Sequence, residues 1–224
     1  MKVLMTGAGG LLAQAVRPVL AAAGVEVRAL THAEADVTRL EALRTAASAF
    51  RPDWIFHFAA DTRVDDCESQ RDRAFLVNGL GARNAALAAA DGGAALLAIS
   101  SDYVFDGEAR TPYREYDAAA PICVYGASKW AGEQAIRDVG GRFVIVRTAW
   151  LFGPLGGNFV NSILKKARAG EALRVVGDQR GSPTYAPDLA RGLLKLAECG
   201  EYGTYHAVSG GEASWHELAV AAVH

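Results

Sequence analysis

The chain has 224 residues, 51% of them hydrophobic and 21% charged, enough to bury roughly 70% of its unfolded surface and far from the composition of a disordered segment. Twenty-three basic against twenty-five acidic residues leave a formal charge of -2, so there is no excess positive field for nucleic acid or an anionic membrane surface. The three cysteines, Cys67, Cys123 and Cys199, are odd in number, far apart and without a C-x-x-C pair; reduced thiols in a cytoplasmic protein are expected, and no metal site.

Met1-Lys2-Val3-Leu4-Met5-Thr6-Gly7 runs straight into a buried strand, with no basic region and cleavage site of a secretory signal. No apolar run approaches a membrane span. Short runs rich in Val, Ile and Leu alternate with longer Ala-rich stretches. This predicts strands over 2–6, 25–30, 53–58, 94–100 and 143–148, and helices over 10–23, 39–50, 71–90, 125–138 and 157–169. Such alternation specifies an α/β fold, a Rossmann-like doubly wound parallel sheet with helices on both faces. Trp54-Ile55-Phe56-His57-Phe58 and Ala95-Leu96-Leu97-Ala98-Ile99 are nearly continuous in apolar residues, as a sheet buried on both faces requires. His57, inside one of these runs, reads as a packing residue.

After residue 150, Gly153-Pro154-Leu155-Gly156-Gly157 and Gly181-Ser182-Pro183-Thr184 punctuate shorter elements. The division expected is a nucleotide-binding domain over 1–150 and a small substrate-side subdomain over 151–224, interleaved with it. Ser214 with Glu217 marks a helix start, so the sequence is expected to stop at His224 inside an element.

Thr6-Gly7-Ala8-Gly9-Gly10-Leu11-Leu12-Ala13 follows the first strand and opens the first helix, where glycines let backbone N–H groups approach a pyrophosphate. The spacing is G-x-x-G-x-x-A, with Leu12 where a G-x-G-x-x-G loop would have its last glycine. The second strand ends in Leu30-Thr31-His32 without the acidic residue that would bind ribose hydroxyls, which tilts the expected cofactor from NADH towards NADPH. Ala59, Ala60 and Thr62 place small residues at the end of the third strand, where a flat cofactor needs the backbone close.

Tyr125-Gly126-Ala127-Ser128-Lys129 puts a tyrosine and a lysine on one helical face. Tyr-x-x-x-Lys is common by itself. It gains meaning from Ser100-Ser101-Asp102-Tyr103-Val104-Phe105 after the fourth strand, which places a hydroxyl upstream at the same sheet end. Together they suit carbonyl reduction: Tyr125 is the proton donor, its phenol tuned by the Lys129 ammonium, which also holds the cofactor ribose, and Ser101 orients the carbonyl oxygen.

Several blocks then resemble one family in order. They are Ser100-Ser101-Asp102-Tyr103-Val104-Phe105-Asp106-Gly107, Val124-Tyr125-Gly126-Ala127-Ser128-Lys129 with Gly132-Glu133, Arg147-Thr148-Ala149-Trp150-Leu151-Phe152-Gly153 and Asp178-Gln179-Arg180-Gly181-Ser182-Pro183-Thr184. Ala59-Ala60-Asp61-Thr62, with Val64-Asp65, Glu68 and Val77-Asn78, matches as well. The chain thereby resembles the dTDP-4-dehydrorhamnose reductase family, extended short-chain reductases of sugar nucleotides. The resemblance implies reduction of dTDP-4-dehydro-L-rhamnose to dTDP-L-rhamnose by NAD(P)H, in deoxysugar and surface polysaccharide synthesis. It implies catalysis by Ser101, Tyr125 and Lys129, and a sugar site including Asp102, Tyr103 and Trp150. A cofactor site of Gly7, Gly10, Leu11, Leu12, Asp36, Val37, Ala59, Ala60, Thr62 and Lys129 follows too, with Asp36-Val37-Thr38 at the adenine. Asp36 or Thr38 also reads as a plain helix cap.

This chain departs from the family pattern at Leu11-Leu12-Ala13, where a Gln-hydrophobic-Gly run is usual, and at Ser101, where Thr is usual. The family also continues beyond the helix at 214–223 with a segment that helps close the sugar-nucleotide site, so cofactor binding is expected to persist here more readily than substrate binding. A dTDP-sugar is the expected partner, a homodimer is left open, and no nucleic acid or membrane is expected. Two other readings share the fold: an epimerase or reductase of another nucleotide-linked sugar, and a non-catalytic NADP-binding subunit like the regulatory subunit of methionine adenosyltransferase.

Overall fold

The structure, a computed structural model, describes residues 1–223. In chain order it has β1 (Lys2–Thr6), α1 (Leu11–Ala22), β2 (Glu26–Leu30), α2 (Leu40–Phe50), β3 (Trp54–His57), α3 (Val64–Ser69), α4 (Arg71–Ala74), α5 (Gly81–Gly92) and β4 (Ala95–Ser101). There follow α6 (Val124–Val139), β5 (Phe143–Thr148), β6 (Leu151–Phe152), α7 (Phe159–Arg168), β7 (Arg180–Gly181), β8 (Thr184–Tyr185), α8 (Ala186–Cys199), β9 (Gly203–His206), β10 (Ala213–Ser214) and α9 (Trp215–Val223).

Six strands form one parallel sheet in the order β2-β1-β3-β4-β5-β9. Because a pleated strand points successive side chains to opposite faces, Leu4, Ile55 and Leu96 stand in register towards α2, α5 and α6. Met5, Phe56 and Leu97 stand in register on the other face, against α1 and α8. Helices cover both faces, as the continuous apolar runs predict. Each fully buried Leu, Ile or Phe contributes about 1.5–3 kcal/mol relative to exposure, so these ladders dominate the stability of the sheet.

The helix expected over 71–90 is helical through 71–92 but widens to a π turn at Phe75–Leu80. Close packing explains the widening: a Cβ on Gly132 of α6 would lie 2.4 Å from the Asn78 carbonyl oxygen. The bulged turn presses its backbone onto α6 and buries Asn78.

The expected element set has no counterpart of α8 or β9. The apolar positions Leu189, Leu193 and Ala197 of α8 recur every four residues and bury against α1, but they lie in a segment rich in turn signals. β9 is a half-buried edge strand, Gly203-Thr204-Tyr205-His206, without an apolar run. The other elements after residue 150 form two small sheets, β6 beside β8 and β7 beside β10, with α7 packed on α9. Among the described residues no helix is long and apolar enough to cross a membrane.

Candidate active site

The strand order reverses between β1 and β3, and ligands of open α/β sheets bind at the carboxyl ends beside such a switch point. Here the segments that leave β1 and β3 nearly touch. Gly7 has φ +71°, and a Cβ on it would lie 2.6 Å from the Ala59 nitrogen, so only glycine fits. The loop then closes through Gly10 N–H donating to the Gly7 carbonyl at 2.9 Å. Gly10 caps α1 without any side-chain bond to its first turn, which also holds no acidic residue. The helix therefore presents free N–H groups and the positive end of its dipole to the cleft, an anion site of the usual kind.

The cleft has a volume of about 600 Å³. It brings Gly10, Leu11, Leu12, Ala59, Ala60 and Thr62 together with Ser101, Asp102, Tyr103, Tyr125, Lys129 and Trp150. Gly7 lies beneath it, as the hinge of the loop. Asp36 and Val37 lie outside its lining: Asp36 Oδ1 accepts from the Thr38 N–H and hydroxyl at 2.9 and 2.8 Å. Val37 is buried against Gly81, and its carbonyl accepts from Asn84 Nδ2 at 2.9 Å.

Ser101 ends β4 and stands in register with Thr148 of β5. Its hydroxyl donates to Asp102 Oδ1 at 2.9 Å and accepts from the Tyr103 N–H at 3.3 Å. Tyr125 lies in the first turn of α6, its ring edge-on to Tyr103 at 5.5 Å. Glu68 Oε1 accepts from the Val124 N–H at 2.8 Å and so satisfies an amide that the helix start leaves free. Asn78, on the bulged turn, donates to Ser128 Oγ and to the Asp61 carbonyl and accepts from the Asp61 N–H, fastening the β3 exit to α6.

Burial raises the Tyr125 phenol above its ordinary range, and its hydrogen bond with Ser101 offsets part of that rise. Burial also lowers Lys129 from 10.5 to about 8, with Glu133 opposing. The Lys129 ammonium donates to the Ile99 carbonyl at 2.6 Å. This corrects one expectation: the ammonium is engaged with the sheet and does not bring the phenol down towards neutral pH. His57 is a packing residue, as expected; its Nδ1 lies 3.0 Å from Thr6 Oγ1, and burial, with the nearby Lys129 charge, lowers it to about 3. Below the floor, Glu133 accepts from Ser100 Oγ at 2.6 Å and from Arg147 at 2.8 and 2.9 Å. That pairing holds the Glu133 carboxyl below the ordinary carboxylate range against its burial.

Trp150 has φ +46°, unusual for a bulky residue. Its indole stacks on Trp215 at 3.6 Å and 9°, and Trp215 meets Phe159 at 4.6 Å. A Cβ on Gly181 would come within 2.6 Å of the Trp150 ring. Trp215, Phe159, Leu218 and Thr148 also line the cleft, and sequence reasoning did not single them out. The Ser214–Glu217 capping box that starts α9 was legible, with Ser214 Oγ accepting from the Glu217 N–H at 3.1 Å, but not which way its first residue faces. Thr148 Oγ1 is the one buried side-chain polar atom among the described residues without a hydrogen-bond partner.

Known proteins resemble this chain over nearly its whole length. It is 44% identical over 220 residues to the spore coat polysaccharide biosynthesis protein SpsK of Bacillus subtilis, covering 98% of this chain and 77% of that one. It is 39% identical over 227 residues to a dTDP-4-dehydrorhamnose reductase of Aggregatibacter actinomycetemcomitans, covering 98% and 77%. The crystal structure of dTDP-4-dehydrorhamnose reductase from Bacillus anthracis in complex with NADP superposes with a TM-score of 0.96 at 40% identity, covering 99% of this chain and 79% of that one. The family model described as the RmlD substrate binding domain matches residues 1–224. With its switch-point glycine, its Ser-Tyr-Lys cleft and these relatives, the chain belongs to the RmlD substrate-binding-domain family.

Proposed function

We propose that this chain is an NAD(P)H-dependent reductase of a dTDP-linked 4-keto-6-deoxysugar, with dTDP-4-dehydro-L-rhamnose as substrate and dTDP-L-rhamnose as product, acting in the cytoplasm. The observation that carries the reading is the convergence of Ser101, Tyr125 and Lys129 in one cleft with the uncapped start of α1. The names of the relatives support the same substrate class, among them a dTDP-4-keto-6-deoxy-D-glucose reductase of Streptomyces niveus at 40% identity.

The residues present fit a nicotinamide dinucleotide. Free amides of the first turn of α1 suit its pyrophosphate, while Gly7, Ala59 and Ala60 keep the backbone low beneath it. Lys129, a turn beyond Tyr125, would hold a ribose hydroxyl by leaving the Ile99 carbonyl or by sharing its remaining protons. Asp36 and Val37 belong at the adenine end in this reading, outside the lining of the main cleft. When bound, the reduced cofactor supplies the hydride.

The remaining work falls to the chain. Ser101 exchanges its bond to Asp102 for one to the substrate carbonyl oxygen and polarises it. Tyr125, kept protonated by burial, donates its phenolic proton to the oxygen as negative charge develops there. The stacked indoles of Trp150 and Trp215, with Phe159, form an apolar wall for the sugar and exclude water. Residues 151–224 thus serve as the substrate-side subdomain, interleaved with the sheet through α8 and β9.

Loss of nicotinamide absorbance with dTDP-4-dehydro-L-rhamnose or dTDP-4-keto-6-deoxy-D-glucose, followed by product analysis, tests the reading. Formation of dTDP-L-rhamnose with cofactor oxidation supports it. Cofactor binding without turnover of either ketosugar would favour a non-catalytic binding subunit.

A further inference from the structure

Thr148 ends β5 on the floor of the cleft, 8% exposed, beside Ser101 in the sheet. Its neighbours on that floor have all found partners within the protein. Ser100 donates to Glu133, Ser101 to Asp102, and Lys129 to the Ile99 carbonyl. The Thr148 hydroxyl alone has none. A buried hydroxyl without a partner is destabilising, and valine would fill the same volume without that penalty. A threonine hydroxyl has three staggered positions about Cα–Cβ, so a ligand in the cleft that Thr148 lines can select the one that reaches it.

We propose that Thr148 is a cofactor ligand whose hydroxyl binds the carboxamide of the nicotinamide ring. The inference rests on the reading that this cleft takes NAD(P)H. A carboxamide carries both donors and an acceptor, and a hydroxyl can answer either. The alternative, a substrate hydroxyl, is disfavoured by place: Thr148 is on the floor at the strand ends, whereas the aromatic wall that suits the sugar is built from Trp150, Phe159 and Trp215.

The test uses the 224-residue chain and its Thr148→Val and Thr148→Ser variants. Calorimetry compares NADPH with 2′-phospho-ADP-ribose, and NADH with ADP-ribose; each second ligand keeps the nucleotide and phosphates but lacks the nicotinamide. Thermal unfolding without ligand reports on folding. Thr148→Val should unfold at the parent temperature or higher, bind the ring-less ligands as the parent does, and bind the nicotinamide cofactors roughly tenfold more weakly. Thr148→Ser should restore most of that affinity. Equal weakening for both kinds of ligand, unchanged cofactor affinity, or a change confined to the KM of the ketosugar would each overturn the assignment. A parent chain that binds neither NADPH nor NADH overturns the underlying reading as well, and the parent titration alone reveals it.

Discussion

A Cβ placed on Gly126 would lie 2.0 Å from the carbonyl oxygen of Tyr103 and 3.2 Å from Pro121 Cβ. The first turn of α6 therefore rests directly on the turn that follows β4, and this contact sets Tyr125 beside Ser101. Gly126→Ala is the informative change. On an open helix alanine would gain about 1 kcal/mol over glycine; here overpacking should reverse the sign, with a loss of about 1–3 kcal/mol in denaturant unfolding. Turnover should fall at least tenfold as Tyr125 shifts. A stabilised, fully active Gly126→Ala protein would contradict the contact.

In the proposed mechanism Tyr125→Phe removes the proton donor and its hydrogen bond with Ser101, while the ring still fills its place against Tyr103. Turnover should drop by roughly 10²–10⁴, with cofactor affinity changed by no more than about twofold. Retained turnover in this variant would remove Tyr125 from the mechanism.

Lys129 ties pH to stability and binding with opposite signs. It titrates at about 8 when folded, below its ordinary 10.5. Between those values the unfolded chain holds a proton that the folded chain has released, so this group's contribution to stability rises with pH across that window and its penalty is full below about 8. Lys129→Met should therefore stabilise the ligand-free chain at pH 7, with an advantage that shrinks towards pH 10. Cofactor affinity of the parent should decline above about pH 8 as the ammonium is lost. An advantage for Lys129→Met that grows with pH in urea titrations would refute this account.

Trp215 supports Trp150 from α9, and the stacked pair contributes about 0.5–1.5 kcal/mol beyond its buried area. Trp215→Ala should raise the KM of the ketosugar up to roughly tenfold and leave NADPH affinity intact, with Trp215→Phe in between. Weaker cofactor binding together with an unchanged KM would show that the wall serves something other than the sugar.

How much of this was legible in the sequence depended on the kind of signal. Apolar ladders such as Leu4, Ile55 and Leu96 announce themselves because a sheet covered on both faces needs continuous hydrophobic runs. Gly10, Ser101, Tyr125 and Lys129 were legible from their chemistry and placement around strand ends, whereas Leu11, Leu12, Asp102, Tyr103 and Trp150 came only with the family resemblance. Thr148 and Trp215 were not: a threonine ending a strand and a tryptophan opening a helix are ordinary until the fold turns both into one cleft. The direction of the Lys129 side chain was equally hidden. Helical spacing puts it on the face of Tyr125, but the partner it takes, the Ile99 carbonyl, is set by how closely α6 packs on β4. The same holds for α8, whose period is plain only once its partner α1 is known.

The sixth strand of the sheet carries a consequence for synthesis. β9 is translated more than fifty residues after β5, yet it supplies the hydrogen bonds along the outer side of β5, from Val144 against Gly203 to Arg147 against His206. While the intervening chain is still being made, β5 is an open sheet edge, the kind of surface on which strands of other molecules pair. Until β9 docks, a nascent chain holds Ser101, and Tyr125 and Lys129 on the α6 helix packed over it, beside a sheet that is not yet closed against its neighbours.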